Sequence, residues 1–442
     1  MNTDSSLPGA PSMTLEQIAS CVAGYDPNAL PVAQAREFIA RLVPTVRGIE
    51  SVAIRSTLGR VLARDVISTI AVPAADNSAM DGYALRGSEL SAESASRFRV
   101  VGKGYAGDAA GATVGVGECV RIMTGAVMPP GLDTVVPQEF VQVDRDADDG
   151  RAEGERISVP PGIVRSGDNR RLAGEDLARG EPALRTGRVL RPADLGMLAS
   201  LGQAEAPVFR RLRVAFFSTG NELRSIGEPL PPGGVYDSNR YTLWGMLQRL
   251  GVVELLDFGV VPDDPDALRR TFAEAAAAAD AVITSGGVSV GEADHTKQVM
   301  AELGDVLFWR IAMRPGRPMA IGRIGEAVLF GLPGNPVAVM VTFYAFVRDA
   351  LLAMSGAKLE PLPMLRAACS SAIRKKPGRT EYQRGIVSRD ERGEWRVAIT
   401  GSQGSGILRS MSEANGLVVL HHEQGNVAAG EAVDVLPFEG LI

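Results

Sequence analysis

The chain has 442 residues, enough for about three or four domains of ordinary size. Apolar residues make up 45% and charged residues 22%, a balance that suits a globular protein with several packed cores; 50 glycines and 27 prolines predict many turns. The net charge of -6 argues against a nucleic-acid binder, which needs a basic face, yet leaves room for small anions held by backbone dipoles or a metal.

Cys21, Cys119 and Cys369 are far apart and odd in number, which argues against a disulfide framework or a structural zinc site. Residues 1–12 are polar and read as a disordered tail rather than a signal peptide. No apolar run approaches the ~20 residues that span a bilayer. The expectation is a cytoplasmic chain with no membrane contact.

Residues 13–22 and 32–42 carry an apolar period near that of a helix, and 52–66 read as a continuing helical and extended section. From 68, short Val-rich runs separated by glycines (98–102, 118–123, 134–143) predict strands of a small β-domain or barrel. The acidic stretch 144–155 reads as an exposed loop, and a helix at 192–201 opens with proline. From 210 the pattern becomes strand, loop, helix, repeated. Strands are expected at 212–218, 253–261, 281–284, 306–313 and 327–331. Helices are expected at 241–250, ending at Gly251, then at 265–279, at 294–303, and from Asn335-Pro336 to about 354. This alternation predicts a doubly wound α/β domain with a largely parallel sheet. After a linker at 356–363, runs at 382–387, 395–399, 417–420 and 432–436 predict an all-β C-terminal domain.

Open α/β sheets bind ligands outside the carboxyl ends of their strands. The predicted ends carry Ser218-Thr219-Gly220-Asn221-Glu222, then Asp263-Asp264, then Ser285-Gly286-Gly287-Val288-Ser289-Val290-Gly291 running to Asp294. Arg310, Arg314 and Arg317 follow, then Leu332-Pro333-Gly334-Asn335-Pro336. A glycine loop entering a helix suits a phosphate, with Ser285, Gly286, Gly287, Ser289 and Gly291 as its members. The arginines add fixed positive charge. Glu222, Asp263 and Asp294 would repel an anion unless a divalent cation such as Mg²⁺ lies between, so a pyrophosphate substrate with a metal accounts for both signs. The bland alternatives are ordinary: a Gly-Gly turn, Asp263 or Asp264 as a helix cap, arginines on the surface, and prolines that only break a strand. A second polar cluster, Asp76–Ala84 with Thr124-Gly125-Ala126 and Asp133–Glu139, reads as an exposed functional loop or as two Asx turns. His295, His421 and His422 lack metal-site spacing, and Ser289 has no evident histidine partner.

With these segments in view, the chain resembles the molybdopterin molybdenumtransferase family, which includes bacterial MoeA and the E domain of gephyrin. The resemblance runs through DNSAMDGYA at 76–84, RIMTGAVMPPGLDTVVPQE at 121–139, GEDL at 174–177, STGNEL at 218–223, YDSN at 236–239, SGGVSVGEAD at 285–294, MRPGRP at 313–318 and GLPGNPVA at 331–338. It implies four parts: an elongated, segment-swapped dimerisation region (1–67 with 161–211), a β-barrel-like domain (68–160), a molybdopterin-binding α/β domain (212–361) and a C-terminal β-domain (362–442). It further implies a homodimer that takes adenylylated molybdopterin and molybdate, inserts molybdenum at the dithiolene and releases AMP with Mg²⁺. Other cofactor-synthesis proteins and apo-molybdoenzymes are implied as partners. The family's site positions fall on Asp81, Thr124, Asp176, Glu222, Asp263, Asp294, Arg310, Arg314, Pro333 and Pro336. Asp294 and Glu222 are expected to hold the metal, and Asp81 and Thr124 of the partner subunit to line the cleft. Two departures stand out. Arginines occupy 310, 314 and 317 where family members often carry lysines, and Asn221 stands where an acid is common and is given no role. A molybdopterin adenylyltransferase and a gephyrin-like scaffold are the competing readings.

Overall fold

The computed structural model describes residues 13–46, 48–108, 113–144, 155–288 and 295–438. The expected tail at 1–12, and residues 145–154 of the expected acidic loop, lie outside them. Two compact units divide the chain: 1–64 with 187–192 and 205–442, and 65–186 with 193–204.

In the first unit, the helix Leu15–Ser20 opens with a capping box in which Thr14 and Gln17 exchange side-chain and backbone bonds. The helix Val32–Leu42 buries Val32, Ala35, Phe38, Ile39 and Leu42, and Phe38 meets Trp309 edge-on at 5.0 Å. Of the helical and extended section expected at 52–66, the helical part is limited to one 3-10 turn, Ile54–Ser56, while the extended part is present in the strands Ile49–Ala53 and Val66–Ile67. Gly59, at φ +72°, turns the chain there, and the strand Ile49–Ala53 pairs with Glu205–Phe209.

The α/β sheet runs in the order Val253–Val261, Leu212–Thr219, Ala281–Ser285, Ala327–Leu332, Pro318–Ile324, Asp305–Arg310. The first four strands are parallel, and Pro318–Ile324 runs against both its neighbours. Both faces are covered. Val214, Phe216, Ile283 and Phe330 join one core, while Ala215, Phe217, Val282 and Leu329 join the other, as period-2 alternation requires. Pro318–Ile324 was not expected: Gly322 and Arg323 break up its apolar run. The expected strand at 306–313 stops at Arg310.

A continuous helix, Pro336–Met354, includes one π turn, Phe343–Val347. Contrary to expectation, it is long and apolar enough by length and composition to cross a membrane; 72% of its apolar window is buried in the core of this unit. Beyond it, Thr380–Arg389, Trp395–Ile399, Leu365–Cys369, Ala432–Pro437 and Gly416–Leu420 pair in sequence, and the last returns to the first, closing a five-stranded barrel. The short strand Met313–Arg314 pairs with Thr380 and Glu381, so this barrel and the α/β sheet are joined by backbone hydrogen bonds.

The second unit holds a six-stranded mixed sheet: Thr134–Pro137, Gly82–Leu85, Glu118–Ile122, Ser96–Gly104, Arg156–Val159 and Gln142–Asp144. The single strand expected at 134–143 is two, because Pro137 cannot donate to a ladder and a 3-10 turn, Gln138–Phe140, follows it. All three cysteines are free. Burial, first of all, pushes the Cys119 thiol up to about 12, which leaves it inert.

Phe217 and Phe272 are both fully buried and meet edge-on at 5.0 Å beneath the sheet. Phe272→Ala should cost about 3–5 kcal/mol, read as a lower urea midpoint. A loss below about 1 kcal/mol would contradict the close packing described here.

Candidate functional site

Parallel pairing sets Ser218, Ser285 and Leu332 in one row, and antiparallel pairing sets Arg310 opposite Pro318. The loops after these strands therefore leave at one edge, where they open on a cleft of about 1030 Å³.

The first wall is acidic. Asp264, rather than Asp263, caps the helix Pro265–Ala278 by accepting from the Ala267 amide at 2.9 Å. Asp263 is thereby left to the cleft. Its amide donates to Asn221 Oδ1 at 3.1 Å, and its own Oδ1 is buried with no partner among the described residues. Glu222 folds back over Gly220, with Oε2 2.6 Å from where a Cβ on that glycine would stand.

The floor is bare main chain. Gly286 and Gly287 have φ of +100° and +65°. A Cβ on Gly286 would lie 2.5 Å from the Thr219 carbonyl oxygen, and one on Gly287 2.3 Å from Thr296 Cβ. Asn239 knots the floor together: its Nδ2 donates to Ser285 Oγ and to the Gly334 carbonyl, both at 2.7 Å.

The opposite wall is basic. Arg314 and Arg317 come from the crossing between strands, and Arg379 with Gln403-Gly404-Ser405 comes from the C-terminal barrel. That serine-glycine loop is held from behind by Arg384, a side chain only 1% exposed. Its guanidinium donates to the carbonyls of Ser402, Gln403 and Gly404 at 3.1, 3.2 and 3.0 Å and to Ser410 Oγ at 3.0 Å. Burial, then the charge of Arg314, lowers its pKa from the usual guanidinium value. The Ser405 carbonyl accepts from the Val337 amide, which ties the loop to the start of the long helix.

Of the residues expected at the site, Glu222, Asp263, Ser285, Gly286, Gly287, Arg314, Arg317 and Pro333 line this cleft. Arg310 does not: strand alternation turns Trp309 into the core and Arg310 outward. Pro336 also stays off the lining, as the first residue of its helix. Ser289, Gly291 and Asp294 lie outside the described residues. Asp81, Thr124 and Asp176 belong to the second unit. There Asp81 Oδ1 accepts from the Thr124 amide at 2.7 Å and from its hydroxyl at 2.8 Å, which lowers the Asp81 pKa, the amide bond contributing most. Asp176 is exposed, and its amide donates to the Val72 carbonyl.

Sequence reasoning passed over four contributors. Asn221 orients Asp263, and Asn239 knots the floor. Arg379 and Ser405 come from a domain read only as strands, although the run Ser402-Gln403-Gly404-Ser405-Gly406 was a visible loop signal. Among the described residues no three His, Cys, Asp or Glu side chains gather as a metal cage.

Gly287→Ala should remove most cleft function, because its left-handed φ and the Thr296 contact both forbid a Cβ. Ligand affinity equal to wild type would contradict it. Arg384→Ala takes one shared donor from three loop carbonyls and should cost about 3 kcal/mol in denaturant unfolding.

Residues 30–202 match the family model for the MoeA N-terminal region (domain I and II), 215–353 that for a probable molybdopterin binding domain, and 366–438 that for the MoeA C-terminal region (domain IV). A molybdopterin molybdenumtransferase of Haemophilus influenzae is 40% identical over 414 residues, covering 93% of this chain and 100% of that protein. One from a Nostoc species is 36% identical, covering 92% of this chain and 93% of that protein. The crystal structure of a molybdopterin biosynthesis moeA protein from Pyrococcus horikoshii superposes with a TM-score of 0.78 at 28% identity, covering 92% of this chain and 99% of that one. Matched by three family models in chain order and by relatives over more than nine-tenths of its length, the chain belongs to the molybdopterin molybdenumtransferase family.

Proposed function

We propose that this chain binds adenylylated molybdopterin and molybdate in the cleft, inserts molybdenum at the dithiolene and releases AMP. One observation carries the reading: Glu222 and Asp263 on one wall face a cleft whose other wall carries Arg314, Arg317 and Arg379. A doubly charged oxyanion and a pyrophosphate both suit guanidinium donors, which stay charged and bind oxygens in pairs. Gly286 and Gly287 keep the floor clear of side chains, so a phosphate can approach the main chain closely.

The carboxylates fit a magnesium ion. The donors are hard oxygens, and the buried Asp263 Oδ1 has no partner among the described residues. Glu222 and Asp263 would hold the ion, with Asp294 added on the family resemblance. When bound, magnesium supplies charge neutralisation at the phosphate oxygens. The chain's own part is placement: Asn221 fixes Asp263, Asn239 fixes Ser285 and the Gly334 turn, and the arginines orient the two anions.

The same reading takes the enzyme to be a cytoplasmic homodimer. In support, the stretch 226–244 exposes Ile226, Leu230, Val235, Tyr236, Tyr241 and Trp244, the kind of apolar surface a second copy would cover. The adenylyltransferase and scaffold readings are not favoured, since relatives matched over nine-tenths of the chain are molybdenumtransferases.

The purified chain given adenylylated molybdopterin should release AMP when molybdate is added. Adenylylation of molybdopterin from ATP, with no response to molybdate, would overturn the reading. Chelation should abolish AMP release, and Glu222→Gln or Asp263→Asn should raise the magnesium needed for half activity about tenfold. Equal turnover in chelated and magnesium-supplied samples would remove the metal from the mechanism.

A further inference from the structure

Behind Arg379 lies a carboxylate that no step of the reaction yet uses. Glu381 is 2% exposed. Its Oε1 accepts from Arg379 Nε at 2.8 Å and meets Nη2 at 2.6 Å, while its Oε2 accepts from Gln383 Nε2 at 3.1 Å. The backbone beneath is fixed on two sides, for Glu381 pairs with Arg314 across one ladder and with Leu420 across the other. Arg379 is thus gripped along its Nε–Nη2 edge, which leaves its end-on pair of nitrogens for the cleft it lines. Arg314 and Arg317 have no such grip: neither makes a side-chain bond among the described residues.

A negative charge this close to an anion site weakens anion binding by Coulomb's law. Its benefit has to come from geometry. We infer that Glu381 is a positioning residue for molybdenum transfer, holding the Arg379 fork in the orientation that meets an oxyanion in the cleft. The inference rests on the proposed molybdate reaction. Positioning and simple electrostatics predict opposite signs. If Glu381 only adds charge, neutralising it tightens anion binding; if it positions Arg379, neutralising it loosens binding despite the gain in positive field.

The test is molybdate binding to the full-length chain by calorimetry, with molybdate KM and kcat measured alongside. Glu381→Gln should raise the molybdate Kd about tenfold, with KM following it and kcat changing less. Glu381→Asp keeps the charge but draws the carboxylate back from the fork, so it should weaken binding as well. On an Arg379→Ala background, neither substitution should have a further effect. Tighter or unchanged binding by Glu381→Gln, or wild-type binding by Glu381→Asp, overturns the inference while the proposed function stands. A wild-type chain that binds no molybdate overturns both.

Discussion

Parallel pairing in fixed register is the constraint on which the site depends. Because Ser218, Ser285 and Leu332 lie in one row, three loops of unrelated sequence leave the sheet at one edge. Each loop brings something different: a carboxylate from Glu222, a side-chain-free turn from Gly286 and Gly287, and a rigid proline–glycine corner at 333–334. A register slip of one residue in any of these strands would turn its apolar side chains to the wrong face, so core packing and site assembly are held by the same pairing. Phe216 and Phe217 point into different cores, which makes that coupling strict for the 212–219 strand.

Charge of both signs on one cleft calls for some of its groups to be held from beneath. The acidic wall is set up by its neighbours: Asn221 receives the Asp263 amide, and Asp264 takes over the capping duty that would otherwise occupy Asp263. The basic wall is set up by buried polar contacts. Arg384 is enclosed by carbonyls, and Arg379 is held by Glu381. In each case a residue that never reaches the cleft decides the direction of one that does, which is how a site gains accuracy from the scaffold beneath it.

Much of this was legible beforehand, for identifiable reasons. The helix Val32–Leu42 and the strands Val253–Val261 and Trp395–Ile399 fall where their apolar periods place them. The α/β alternation and the residues at its strand ends were equally plain, because buried parallel strands read as short apolar runs between turn residues. The strand Pro318–Ile324 was hidden by Gly322 and Arg323. The segment 52–66 has helical-looking apolar spacing but is turned at Gly59 and drawn into strand pairing with a segment some 150 residues away, a contact with no local signature. At the site, Asp263 and Asp264 could not be told apart as cap and ligand until the helix start was placed. Arg310 looked equivalent to Arg314 and Arg317 until strand alternation turned it outward. Arg379 and Ser405 were missed because tertiary pairing, not sequence proximity, brings the C-terminal barrel against the α/β edge.

That pairing carries a mechanical consequence. The rungs between Met313–Arg314 and Thr380–Glu381 sew the two parts of the basic wall into a single fabric, with the Val337–Ser405 bond as a second stitch to the long helix. Parts stitched in this way cannot shift against one another without tearing main-chain hydrogen bonds, so the backbones that carry Arg314 and Arg379 keep a fixed spacing. The same seam means that a chain cut short after the long helix would lose half of its anion-binding wall and leave the 313–314 segment with an unzipped edge.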